Sequence, residues 1–61
     1  MNENFESVKN IIINENKLMI KDKFPVYMMN RINSKLIKHA TKLYKFDKKQ
    51  ITELKQLANL N

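Results

Sequence analysis

The chain is 61 residues long, and a chain of that size buries only about 60% of its unfolded surface, so any core is marginal. It has no Cys, no Gly and one His. That excludes a disulfide framework, a thiolate metal site, a cysteine nucleophile and the Gly-rich phosphate loops. Twelve Lys and Arg against six Asp and Glu give a formal charge of +6. What remains is a small helical binding module, a subunit of something larger, or a short regulatory protein.

Residues 3–19 read as a first helix. Asn4 is placed as its N-cap, with Glu6 in the first turn near the positive end of the helix dipole. Phe5, Val8, Ile12 and Leu18 or Met19 follow helical spacing. The run Ile11-Ile12-Ile13 also fits a short strand, because β-branched side chains favour one. Helix is preferred, since no partner strand with a turn follows and the chain lacks the Gly that tight hairpins favour. Residues 20–24 are the connection.

A second helix spans residues 25–45. Pro25, the sole proline, suits its first turn, where a missing N–H costs nothing. Val26, Met29, Ile32, Leu36, Ala40 and Leu43 form an apolar stripe, with Ile37 and Tyr44 on its shoulder. A third helix spans 47–59. Asp47 is its N-cap, Gln50 completes a capping box, and Phe46 with Ile51 occupy the positions of a hydrophobic staple. Ile51, Leu54, Leu57 and Ala58 supply its apolar face. The expected fold is all-α, one domain over 1–61, built as a small three-helix bundle or as an open helical hairpin plus one helix.

Charge is segregated along the chain. Residues 1–16 carry a net −2, residues 17–49 a net +8, and residues 50–61 balance. On the second helix Arg31, Lys35, Lys38, Lys42 and Lys45 advance by steps of 4, 3, 4 and 3. They fall within about 80° of a helical wheel, opposite the Met29–Leu36–Ala40 side. No Asp or Glu interrupts residues 25–46. Like charges at these spacings repel by a few tenths of a kcal/mol per pair, roughly. A face selected for stability alone would mix Glu with Lys. The stripe therefore points to an anionic partner, foremost a nucleic-acid backbone and alternatively an acidic protein surface. A solvated lysine face is the plain alternative. With one Arg present, phosphate contact fits better than guanine readout. A helix-turn-helix reader over 25–58 is a weaker reading, because the turn lacks Gly and the third helix offers few base-reading side chains.

The smaller features add little chemistry. His39 has no second His or Cys to share a metal and is read as a surface or boundary residue. Tyr27 and Tyr44 lie near the basic residues and could stack on a base, although packing is the ordinary role for Tyr44. Met28 falls off the core arc and suits an interface better than Met29. No carboxylate pair or activated Ser supports catalysis, so no enzyme, cofactor or metal is expected. No apolar run nears the ~18–20 residues that span a bilayer. The first residues carry no basic leader, so a cytoplasmic location is expected. So small a core is expected to draw on a larger complex or on self-association.

The N-terminal half resembles a known family. Phe5-Glu6, Ile12, Lys17-Leu18-Met19, the run Lys23-Phe24-Pro25-Val26-Tyr27-Met28-Met29-Asn30-Arg31, and Ser34 look like the opening of the small subunit of the sliding-clamp loader of T-even-like tailed phages. The likeness covers residues 5–34, with Ala40 and Asp47-Lys48-Lys49 as a looser echo. This chain is far shorter than that subunit, and Lys35 and its fellows replace the usual acidic and aromatic positions after the Ser. The resemblance implies a phage protein of a DNA replication or transcription assembly. It would pair with ATPase subunits and act at primer–template DNA without ATPase activity of its own, in the cytoplasm of an infected bacterium.

Overall fold

A computed structural model describes residues 3–58, and the described residues form three helices and no strand. Helix α1 is Glu3–Lys21, α2 is Val26–Tyr44 and α3 is Lys48–Leu57. Each touches the other two, so the bundle form of the expected all-α fold is the one adopted. The Ile11-Ile12-Ile13 run lies inside α1 and not in a strand.

Helix α1 begins at Glu3, so Asn4 lies inside the helix and does not cap it. It also runs two residues past the expected end. Its stop is a Schellman motif: Lys23 N–H donates to the Ile20 carbonyl at 3.0 Å, and Phe24 N–H to the Met19 carbonyl at 2.9 Å. The motif needs one residue in the left-handed region, and Lys23 takes it with φ 59°. Lysine holds that conformation at a cost of about 1–2 kcal/mol that glycine avoids. Phe24 and Met19, the two apolar residues that flank such a stop, are half-buried and buried. Pro25 then sits just before α2 in extended conformation, as its N-cap, with no side-chain bond. Its carbonyl accepts from Met28 and Met29 N–H instead. Lys45 ends α2 in the same left-handed way, with φ 55° and its N–H on the Thr41 carbonyl at 2.7 Å.

The start of α3 follows the expectation closely. Gln50 N–H donates to Asp47 Oδ1 at 2.8 Å, and Asp47 N–H donates to Gln50 Oε1 at 3.0 Å. This reciprocal capping box satisfies two N–H groups that the helix cannot. Phe46 is buried and Ile51 packs against the same core. Ala58 closes the helix. Residue 59, where the third helix was expected to end, lies outside the described residues.

The core is formed by Phe5, Val8 and Ile12 of α1, Ile37 and Ala40 of α2, Phe46, and Leu54 with Ala58 of α3. Phe5 and Phe46 meet edge to face with centroids 5.5 Å apart. Lys9 lies 5.0 Å over the Phe5 ring and reaches Glu6 at 3.0 Å and Glu53 at 3.2 Å. Those hydrogen bonds, to Glu6 first and then to Glu53, raise the Lys9 ammonium above its ordinary pKa.

The buried face of α2 differs from the apolar stripe. Asn33, Ile37 and Ala40 are buried, with Met29 and Leu36 half-buried. Val26 and Leu43 are each 71% exposed, and Ile32 and Tyr44 are exposed as well. The face is turned by about 50° toward Ile37, at 3.6 residues per turn. Asn33 explains the turn. Its amide nitrogen donates to Asn16 Oδ1 at 2.9 Å, and Asn16 returns a bond to Asn33 Oδ1 at 3.1 Å. Asn16 also donates to the Ile12 carbonyl at 2.6 Å. A polar pair with its bonds made can lie buried between helices, and only one register of α1 on α2 satisfies it. On α1 the structure chooses Met19, buried, over Leu18, 55% exposed. On α3, Leu57 is exposed while Leu54 is fully buried.

Candidate nucleic-acid interface

The buried side of α2, centred on Asn33, Ile37 and Ala40, is committed to α1 and α3, so its opposite side is free. Arg31, Lys35, Lys38 and Lys42 lie along it on four successive turns, all exposed. Lys45 is exposed too, but it is not on the helix. Its left-handed backbone takes it out of the helical register, so the row is four residues on one helix face plus one at the turn. No ion pair among the described residues uses any of the five. The acidic side chains that do pair, Glu6 and Glu53, are occupied with Lys9. The positive field of the row is thus not neutralised locally, and exposed amines on flexible stems can follow a phosphate chain.

At the N-terminal end of the row, Tyr27 is 70% exposed. With Arg31 and Lys35 it lines a shallow concavity of about 370 Å³, to which Met28 also contributes. An aromatic face beside two cations offers both a stacking surface and phosphate contacts. Tyr44 is 40% exposed and lies 5.7 Å from Phe46, so its ring serves the fold in part. His39 is exposed, in keeping with a surface role.

Between α2 and α3 lies a larger groove of about 510 Å³. Half-buried Ile51 and the edge of the buried Ile37 give it an apolar floor, and Lys38, Lys42 and Lys55 stand around it. No carboxylate lines it. Thr41 lines it as well, and the Thr41 hydroxyl is buried without a hydrogen-bond partner. Sequence reasoning passed over Lys55 and Thr41. A wheel drawn for one helix cannot say which flank of α2 faces α3, and so cannot gather a groove from both.

Among the described residues no three of His, Cys, Asp or Glu lie together as metal ligands would. No helix of the described residues is long and apolar enough to cross a membrane. No family model matches the chain, and comparison with curated proteins and with solved structures returns no match. The fold and the site therefore define this protein as a small three-helix bundle with one strongly basic face.

Proposed function

We propose that this is a non-enzymatic nucleic-acid-binding protein that holds the phosphate backbone with Arg31, Lys35, Lys38, Lys42 and Lys45. One observation carries the reading: four exposed cations along one face of α2, with Lys45 exposed at the turn that follows, none of the five paired with a carboxylate. Phosphate contacts position a protein on a strand without reading sequence, and lysine suits that work. Tyr27, open beside Arg31 and Lys35, adds a place for one unpaired base. The resemblance of residues 5–34 to the small subunit of phage clamp loaders supports a place in a replication or transcription assembly, in the cytoplasm of an infected bacterium. On this reading the protein works as part of a larger complex and needs no cofactor.

The test reverses two charges in the middle of the row. Lys38→Glu with Lys42→Glu leaves the core untouched, since both side chains are exposed. The double variant is expected to keep its helical circular dichroism and to bind an oligo-dT strand about tenfold or more weakly at low salt. Unchanged affinity in a folded double variant would reject the proposal.

A further inference from the structure

The groove between α2 and α3 has a character that phosphate binding does not use. A backbone contact needs cations alone, yet here the cations surround an apolar trough. Half-buried Ile51 and the outer edge of the buried Ile37 floor that trough, with Lys38 and Lys42 on the α2 side and Lys55 on the α3 side. We infer that this groove is the docking site for an acidic amphipathic helix of a partner protein, whose apolar ridge lies over half-buried Ile51 and the edge of Ile37 and whose flanking carboxylates meet Lys38, Lys42 and Lys55. The inference does not rest on nucleic-acid binding.

Three features select that occupant. Charge complementarity selects an acid, because three lysines and no carboxylate line the groove. The apolar floor selects a ligand with a hydrophobic ridge, which a phosphate chain lacks. The geometry selects a helix. The described residues hold no strand edge on which an extended peptide could add hydrogen bonds, and a trough between two helices is the ordinary seat of a helix laid in a groove. Along α2 the groove runs from Ser34 to Lys42, about 12 Å at 1.5 Å per residue, which matches anchors at i, i+4 and i+7 of a docked helix.

The two surfaces share Lys38 and Lys42 but differ in the rest. Lys55 belongs to the groove and not to the row; Arg31 and Lys35 belong to the row and not to the groove. That separates the two readings in one experiment. The probe is a peptide of about 18 residues, long enough to form a helix on docking, with leucines at i, i+3, i+4 and i+7 flanked by glutamates. It is titrated into isotope-labelled protein while the backbone amide signals are followed. Shifts centred on Ile37, Thr41, Ile51 and Lys55 are expected. Lys55→Glu, at an exposed position, is expected to weaken the peptide about fivefold and to leave oligo-dT binding alone. Arg31→Glu with Lys35→Glu is expected to do the reverse. The inference is overturned if the peptide leaves those amides unmoved, or if Lys55→Glu leaves its affinity unchanged. It is equally overturned if a peptide with serines in place of the leucines binds as well, since charge alone would then explain binding. Oligo-dT shifting the same amides would make nucleic acid the occupant, and shifts growing with protein concentration alone would make it a second copy of this chain. Loss of oligo-dT binding with the peptide result intact would instead reject only the nucleic-acid proposal.

Discussion

Asn33→Asp is expected to unfold most of the protein at pH 7 and to let it refold as the pH falls toward 4. Asn33 is 1% exposed, and both its amide atoms are bonded to Asn16. An ionised carboxylate there would face the Asn16 amide with a donor on one side only. The Asn16 carbonyl, which now accepts from Asn33, would lose its donor and repel the charge. The protonated acid restores the pattern, because its hydroxyl donates where the amide nitrogen did and its carbonyl accepts as before. Folding therefore raises the pKa of the introduced carboxyl above its unfolded value. The folded state binds the extra proton, so stability falls as pH rises from the unfolded pKa through the folded one. Holding that proton at pH 7 against an unfolded pKa of about 3.9 costs up to about 4 kcal/mol, at 1.36 kcal/mol per unit. A chain this short has little more than that to lose. Urea melts at pH 4.5 and pH 7 measure the effect. Equal midpoints at the two pH values would show that Asn33 is not buried in the amide pair. Replacing Asn16 and Asn33 together by Leu is expected to cost far less, since no polar group is then left unpaired.

Leu54→Ala is expected to abolish cooperative folding at 25 °C. Leu54 is fully buried at the point where α3 meets the core of α1 and α2. Such a truncation costs about 2–5 kcal/mol, from lost burial and from the cavity left behind. A core in a chain below about 70 residues seldom supplies more than about 3–5 kcal/mol in all. Leu57 makes the comparison sharp, because it lies three residues on in the same helix but is 37% exposed. Leu57→Ala is expected to shift the thermal midpoint by only a few degrees, consistent with about 4–8 °C per kcal/mol in proteins this small. Circular dichroism melts of both variants decide the matter. A cooperative, undiminished transition for Leu54→Ala would contradict the assigned core.

The features that were legible in the sequence are local ones. The capping box at Asp47 and Gln50 lies within four residues, and its hydrogen bonds follow from side-chain reach alone. Helix α1 buries Phe5, Val8 and Ile12 on one narrow stripe that periodicity alone marks, whereas the choice of Met19 over Leu18 at its end needed the packed structure. The face of α2 needed more. Its apolar residues cover a broad arc, and the centre of the buried face is an asparagine whose partner lies 17 residues away. Hydropathy reads Asn33 as polar and therefore outward; only pairing with Asn16 makes it an inward residue. The helix ends were displaced for a related reason. Lys23 and Lys45 take the left-handed positions in which glycine is the usual signal, and this chain has none.

The basic row was legible because four of its members keep helical spacing on a face that the core does not use. Spacing alone puts Lys45 on the same wheel, but its left-handed backbone removes it from the register while leaving it exposed at the turn. The groove was not legible, because its walls come from two helices whose mutual orientation depends on the packed core.

The most direct test of the basic row is a salt series. Binding of the intact protein to a fluorescent oligo-dT strand is measured by anisotropy from low to physiological salt, and log K is plotted against log salt. Five phosphate contacts release about 0.7 counterion each on a single strand, so a slope near −3.5 is expected, steepening to about −4.5 on duplex. No binding at low salt, or a slope flatter than about −1, would contradict phosphate binding and leave the row a solvated lysine face.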